Sequence, residues 1–481
     1  MNRSVQIALL MPLSAAIALA FGTAHHKSKS VGRFPTHTNL PGFPFSRTDL
    51  LQYKQTQDMT AIRAHGWKLF SGLTTGKAPQ WETWYTKCDL PIDNAGCENQ
   101  DQARTVRPSL RQLELPIQLV LPLLNPARAQ AIPAVMPLPT FFKNFIERPT
   151  MANVLMNPEL ARFIQSEGLN QEMTLKSLLP SPADCPSTCS VDAPAPPDSA
   201  IAVKATWEQV VPDTNVASGP RPWILHVWDP ALRQLATNPD SGGEVHIADP
   251  GFRPGVVQID LTKDLPSDCR EQDYMPTDPV PIGCFHYQKL DEAEYRKVNP
   301  YMKLVNGAVI GHAPYYLVLV AVHIITRETP QWTWQTFYWS TDAVRARTSR
   351  KESVFLRSPW SHFDMDATLD ANTPPDPKSG GPNICSNPFM EGTMPHGMSS
   401  NCLYCHAHAT YSTTAARPTP DVIGSPAYRN GRREVDCSRE QSFFAGAVKT
   451  DFLWSIADIG QGEVQKKFET QLEEFLNLRS Q

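Results

Sequence analysis

Leu317-Val318-Leu319-Val320-Ala321-Val322-His323-Ile324-Ile325 is apolar at successive positions rather than at alternate ones. A strand that faces water on one side alternates, whereas one covered on both faces does not, so this stretch is expected to be the central strand of a sheet. It is expected to run over 315–326 and to pair as a hairpin with a second strand over 331–339. His323 sets one imidazole amid this hydrocarbon. A buried ring nitrogen left unsatisfied costs about 1–3 kcal/mol, so His323 should hydrogen-bond or coordinate.

Outward from the hairpin, period-two stretches at 200–211, 223–228 and 255–261 read as further strands. Asp58 is a fitting cap for an amphipathic helix ending at Leu73, and 158–167, 439–459 and 463–481 also read as helices. Pro79-Gln80-Trp81-Glu82-Thr83-Trp84-Tyr85 is a short strand or a pocket wall, with core packing the blander role. Prolines at 116, 122, 126, 133, 137 and 139 keep the apolar stretch 113–149 from forming long elements, so ordered coil is expected there. The expected class is α+β, with a β-rich antiparallel body over 200–345. A helical and irregular region over 25–180 and a Pro/Ser-rich linker over 181–199 precede it. A loop-rich, partly helical region follows over 346–481.

The chain has 45 prolines in 481 residues, well above the ordinary share of about 5%. Its formal net charge of −4 offers no basic field for nucleic acid. Met1-Asn2-Arg3-Ser4 precedes an apolar run from Val5 to Ala20 with small-residue sites up to Ala24, the pattern of a secretory signal peptide over 1–24. No later stretch reaches membrane-spanning length, so no span is expected after cleavage. Eight cysteines lie outside 402 and 405, and in an oxidising compartment they should form disulfides. Close spacing suggests Cys88 with Cys97, Cys185 with Cys189 and Cys269 with Cys284, leaving Cys385 with Cys437.

Cys402-Leu403-Tyr404-Cys405-His406 is a C-x-x-C-H motif, the attachment signature of a c-type haem. The two thiols add to the two vinyls as thioethers, and the next imidazole then lies beneath the iron. Cys402 and Cys405 would tether one covalent haem c and His406 would be its proximal ligand. A zinc cluster of Cys402, Cys405, His406 and His408 competes, although histidines two apart crowd one metal. A plain disulfide between the two cysteines leaves His406 unexplained. No methionine follows His406, so the distal ligand comes from upstream or is missing. The candidates are Met390, Met394, His396 and Met398 just before the motif, and His312, His323 and His362 further away. His323, Met394 and Met398 are favoured. Trp332, Trp334, Phe337, Tyr338 and Trp339 would serve as core or as an electron relay to the haem edge.

Several stretches resemble a family of exported bacterial cytochrome c family proteins. They are Ile62-Arg63-Ala64-His65-Gly66-Trp67, Trp81-Glu82-Thr83-Trp84-Tyr85, Val203-Lys204-Ala205-Thr206-Trp207, Val322-His323-Ile324 and Gln331-Trp332-Thr333-Trp334-Gln335-Thr336-Phe337. Asn387-Pro388-Phe389-Met390-Glu391-Gly392, Ser400-Asn401 with the haem motif, and Lys449-Thr450-Asp451-Phe452-Leu453-Trp454 extend the likeness, which spans roughly 60–455. It implies export and one haem but no settled reaction. Where some relatives resemble T-F-E-H, this chain has Thr336-Phe337-Tyr338-Trp339. The expected function is periplasmic electron transfer by an exported monohaem c-type cytochrome with an unidentified redox partner. The alternative is a peroxidase- or oxygenase-like haem enzyme, or a gas sensor, with an open distal site.

Overall fold

Tyr315–Thr326 is the longest strand among the described residues, and the main sheet is assembled along it. The computed structural model describes residues 35–90, 150–179, 190–213, 219–227, 255–270, 277–298, 313–342, 356–369, 402–412 and 446–457, with shorter stretches and single positions between them. In chain order these hold α1 (Arg47–Thr56), α2 (Met59–Leu73), β1 (Tyr85–Thr86), β2 (Thr150–Met156), α3 (Pro158–Ser166), α4 (Glu172–Leu178), β3 (Val191–Asp192), β4 (Ile201–Gln209), β5 (Val211–Pro212) and β6 (Trp223–Val227). There follow β7 (Leu235–Thr237), β8 (Val245–Ile247), β9 (Gly255–Asp260), β10 (Val280–Pro281), β11 (Tyr287–Leu290), α5 (Glu292–Val298), β12 (Tyr315–Thr326), β13 (Thr333–Trp339) and β14 (Phe363–Thr368). The last are α6 (Cys402–Ala407), β15 (Thr410–Tyr411), β16 (Val448–Lys449) and α7 (Trp454–Ala457).

The main sheet runs β1-β2-β4-β12-β13-β14, with β11 also on β12. Every pairing in it is antiparallel. One edge of β12 carries β4; on the other, β13 takes Ala321–Thr326 and β11 takes Tyr315–Val318. β12 is thus paired along both edges, and burial of side chains on both of its faces accounts for its unbroken hydrocarbon. With helices packed beside an antiparallel sheet, the class is α+β. Smaller sheets are β10-β9-β6-β5 and β15-β16-β3, where β9–β10 and β3–β16 pair in parallel, and the hairpin β7-β8.

Side chains alternate across the sheet, so the registers sort them into two faces. Val203, Val322, Ile324, Phe337 and Met365 share one face, and α2 covers it. Asp58 caps α2 by accepting the Ala61 N–H at 2.9 Å. Two turns on, Trp67 and Phe70 close on Phe337 with ring centroids 5.2 and 4.2 Å away. Trp81 and Trp84 are buried in this same core, so the aromatic run after α2 is packing. At Gly66 the helix lies close against the sheet: a Cβ there would lie 2.6 Å from Met365 Cε and 2.8 Å from Gln335 Cγ.

Three departures from the sequence reading have plain causes. Strand β2 was not expected; it borders β4 over seven residues and lengthens the sheet. The second half of the expected linker is ordered, because β3 finds β16 as a parallel partner. Over 439–459 the expected helix is interrupted within its described part: Phe444 and Trp454–Ala457 are helical, but Val448–Lys449 between them is a strand. Asp451 and Phe452 between them have φ of 46° and 68°, which a right-handed helix cannot contain.

Cys269 and Cys284 are joined in a disulfide, as their spacing suggested. Cys88 is also disulfide-bonded, its partner lying outside the described residues. Among the described residues no helix is long and apolar enough to cross a membrane. The N-terminal 1–24, the coil beyond Leu113, residues 181–189 with Cys185 and Cys189, Cys437 and the final helix 463–481 fall outside the described residues.

Candidate functional site

The face of the sheet away from α2 meets the second apolar core, which holds Cys402, Leu403, Cys385, Trp332, Trp334 and Ile325. The motif enters it as the short helix α6, Cys402–Ala407. A turn of 3.6 residues brings positions 402, 405 and 406 to one side of that helix, the arrangement that C-x-x-C-H chemistry needs. Cys402 and Leu403 are buried and His406 is half-buried; the side chains of Tyr404 and Cys405 fall outside the described residues.

His406 is oriented from two directions. Its Nδ1 lies 2.8 Å from the Phe452 carbonyl oxygen. A carbonyl can only accept, so Nδ1 carries the proton and Nε2 of the neutral ring holds the lone pair. Metal-ligating histidines have this pattern, the backbone carbonyl setting both tautomer and ring orientation. Trp334, projecting from β13, packs against the same imidazole with centroids 4.5 Å apart.

The Phe452 carbonyl is itself held by the tip of the central hairpin. Asp451 Oδ2 accepts Arg327 Nε and Trp332 Nε1, each at 2.9 Å. Arg327 Nη1 donates also to the Thr329 carbonyl at 2.8 Å, so the guanidinium is pinned within the tip. Trp332, Asp451 and Phe452 all have positive φ, and they account for three of the four such non-glycine residues described. Left-handed backbone at bulky residues persists only where surrounding contacts over-determine it. Here those contacts converge on the carbonyl facing His406. Burial pushes the Asp451 carboxyl above its ordinary range, and the charge of Arg327 opposes this. On the other side of the tip, Glu328 accepts the Thr326 hydroxyl and the Phe45 N–H, both at 2.6 Å, and lies 3.1 Å from His65 Nε2 of α2.

The distal candidates separate on this frame. His323 pairs with Thr336 and Lys204 across the neighbouring strands. By alternation it shares the face of Ile325 and Trp334, one row along. It is half-buried beside polar neighbours, not sealed in hydrocarbon as the sequence suggested, because that face leaves the apolar core at Ile325 and Trp334. Asn387 Nδ2 donates to Thr336 Oγ1 at 2.7 Å and brings the segment before the motif onto the same row. His362 is fully buried with Nδ1 3.1 Å from the Ser340 carbonyl oxygen and Nε2 2.9 Å from the Arg270 carbonyl oxygen; both nitrogens face acceptors, and the one that carries the proton donates to its carbonyl. Met390 packs in the α2 core. His312, Met394, His396 and Met398 lie outside the described residues.

His408 is buried and stacks on Phe444, with centroids 5.9 Å apart. The one convergent trio of His, Cys or carboxylate groups among the described residues is Cys269, Cys284 and His362, and its two sulfurs are bonded to each other. Of the aromatic run, Trp334 touches His406, whereas Phe337 and Trp339 stack on Phe70 and Phe285. Arg327 and Asp451 are site residues that no spacing reveals, since the left-handed turn joining them to His406 carries no glycine to mark it. The donor set fits a haem c: an imidazole whose Nδ1 is held by a backbone carbonyl, following a cysteine one turn back on the same helix. No protein family, curated protein or solved structure matches this chain.

Proposed function

We propose that the chain is an exported monohaem c-type cytochrome that transfers electrons in the periplasm to a redox partner still to be identified. The observation that carries this reading is the hydrogen bond from His406 Nδ1 to the Phe452 carbonyl, made by the histidine of a C-x-x-C-H helix. Bound haem supplies a one-electron iron couple, whose potential is set by axial ligation, hydrogen bonding and burial. In this reading Cys402 and Cys405 tether, His406 coordinates through Nε2, and the Arg327–Asp451 pair keeps the Phe452 carbonyl aimed at Nδ1. Trp334 lies against the imidazole and offers a π-surface for electron exit. His323, Met394 and Met398 remain the candidates for the sixth position.

Haem staining after denaturing electrophoresis tests the reading. Protein from an export- and maturation-competent host should keep one haem through boiling, and the double substitution Cys402→Ala with Cys405→Ala should lose it. An intact mass lacking the added haem would overturn the proposal. Carbon monoxide then tests the role: a carrier with two strong axial ligands gives a low-spin spectrum that ignores the gas. A high-spin ferrous form that binds it rapidly would replace the carrier reading with the enzyme or sensor.

A further inference from the structure

Cys385 and Cys402 come from separate parts of the chain, yet their sulfurs lie 3.9 Å apart in the second apolar core. Cys402 Sγ also lies 3.4 Å from the Cys385 carbonyl oxygen. Both residues are buried. A disulfide needs its sulfurs at about 2.05 Å, so the pair stands about 2 Å short of a bond. The spacing of the sequence suggested Cys437 as the partner of Cys385. Cys437 lies outside the described residues; in the fold Cys385 faces a cysteine of the C-x-x-C-H motif.

We propose that Cys385 is the redox partner of Cys402, and that a Cys385–Cys402 disulfide forms in the haem-free chain and withholds Cys402 from haem attachment until it is reduced. A low-molecular-weight disulfide, or a thiol–disulfide oxidoreductase in its oxidised form, accepts the two electrons and two protons released when the two thiols join. A dithiol reductant reverses the step. Thioether formation adds the Cys402 S–H across a vinyl double bond without net oxidation, and it needs the sulfur as a thiol. Sulfur is divalent, so the disulfide and the thioether exclude each other. Apolar burial favours the neutral thiol and slows exchange, which makes the oxidised form persistent once the core has closed over it. The pairing is read from sulfur positions alone; its consequence for attachment rests on the haem reading.

The test uses the full-length, haem-free chain, equilibrated in an oxidising glutathione buffer, blocked with N-ethylmaleimide and digested without reduction. A linked peptide joining Cys385 to Cys402 is expected as the main species containing either residue. It should vanish in Cys385→Ser and persist in Cys437→Ser. A dominant Cys385–Cys437 or Cys402–Cys405 link, or full alkylation of both residues, would overturn the pairing. In the maturation-competent host, Cys385→Ser should carry at least as much covalent haem as the wild type under oxidising growth, and loss of haem in that variant would refute the gating. A wild type that never acquires haem would defeat the cytochrome reading, and the gating with it, while the peptide map still decides the pairing.

Discussion

The residue on which the site turns most sharply is Asp451, because it receives two buried donors and shapes the backbone that aims at His406. Removing one member of a buried ion pair strands the other, and typically costs about 3–5 kcal/mol. Asp451→Ala should therefore lower stability by that order in urea unfolding, more than truncating an exposed carboxylate such as Asp278. The same group gives a pH dependence with a definite sign. Burial holds its folded pKa above the ordinary 3.8, so between the two values the folded chain binds more protons than the unfolded one. Its contribution to stability is greatest below about 3.8 and falls as pH rises through the folded pKa. Comparing unfolding curves of wild type and Asp451→Asn across that window should show a downward slope in the wild type that the variant lacks. An unchanged slope would mean that the carboxyl is already ionised in both states.

At the scale of elements, α2 and the β12–β13 hairpin are fastened at two points that differ in kind. The first is close packing at Gly66, where an added methyl meets Met365 and Gln335. Both obstacles are side-chain atoms that can shift, so Gly66→Ala should cost about 1–3 kcal/mol rather than prevent folding. The second is Glu328 beneath the hairpin tip, whose side chain is fully buried beside His65. Glu328→Ala leaves the Phe45 N–H without its acceptor and the Thr326 hydroxyl with Thr333 alone, and a loss of about 1–3 kcal/mol is expected. Arg327 and Glu328 are consecutive and reach opposite sides of the tip, so the hairpin couples the α2 core to the turn at Asp451. Native-state hydrogen exchange would check this coupling: Glu328→Ala should speed exchange of the Phe452 and Leu453 amides, beyond the change seen in β6 and β9. Equal acceleration everywhere would point to global loss alone.

For the whole molecule, the Cys269–Cys284 disulfide closes a loop of fifteen residues and packs under Tyr274, whose hydroxyl lies 3.2 Å from Cys284 Sγ. Loop-closure entropy for that length is about 3 kcal/mol, so Cys269→Ala with Cys284→Ala should lower the urea midpoint by a corresponding amount. The loss should remain when reductant is added to the variant, while reductant lowers the wild type. Unfolding that is indifferent to reductant in the wild type would count against any stabilising role for the disulfides.

What the residues alone determined is the part that rests on local periodicity and covalent spacing. The bounds of β12 follow from hydrocarbon on both faces, α2 from its 3.6-residue stripe behind Asp58, and the Cys269–Cys284 pair from short loop closure. The spacing of Cys402, Cys405 and His406 was legible for the same reason, while the helix that carries them was not. Tertiary structure alone decided that His323 sits on a polar row, that each nitrogen of His362 faces a backbone carbonyl, and that Cys385 faces Cys402. It also decided which carbonyl meets His406. These depend on strand register and on a left-handed turn at two non-glycine residues, which are set by contacts between segments more than a hundred positions apart. Local sequence carries no trace of such contacts, because the free energy that holds them belongs to the packed chain rather than to any one segment.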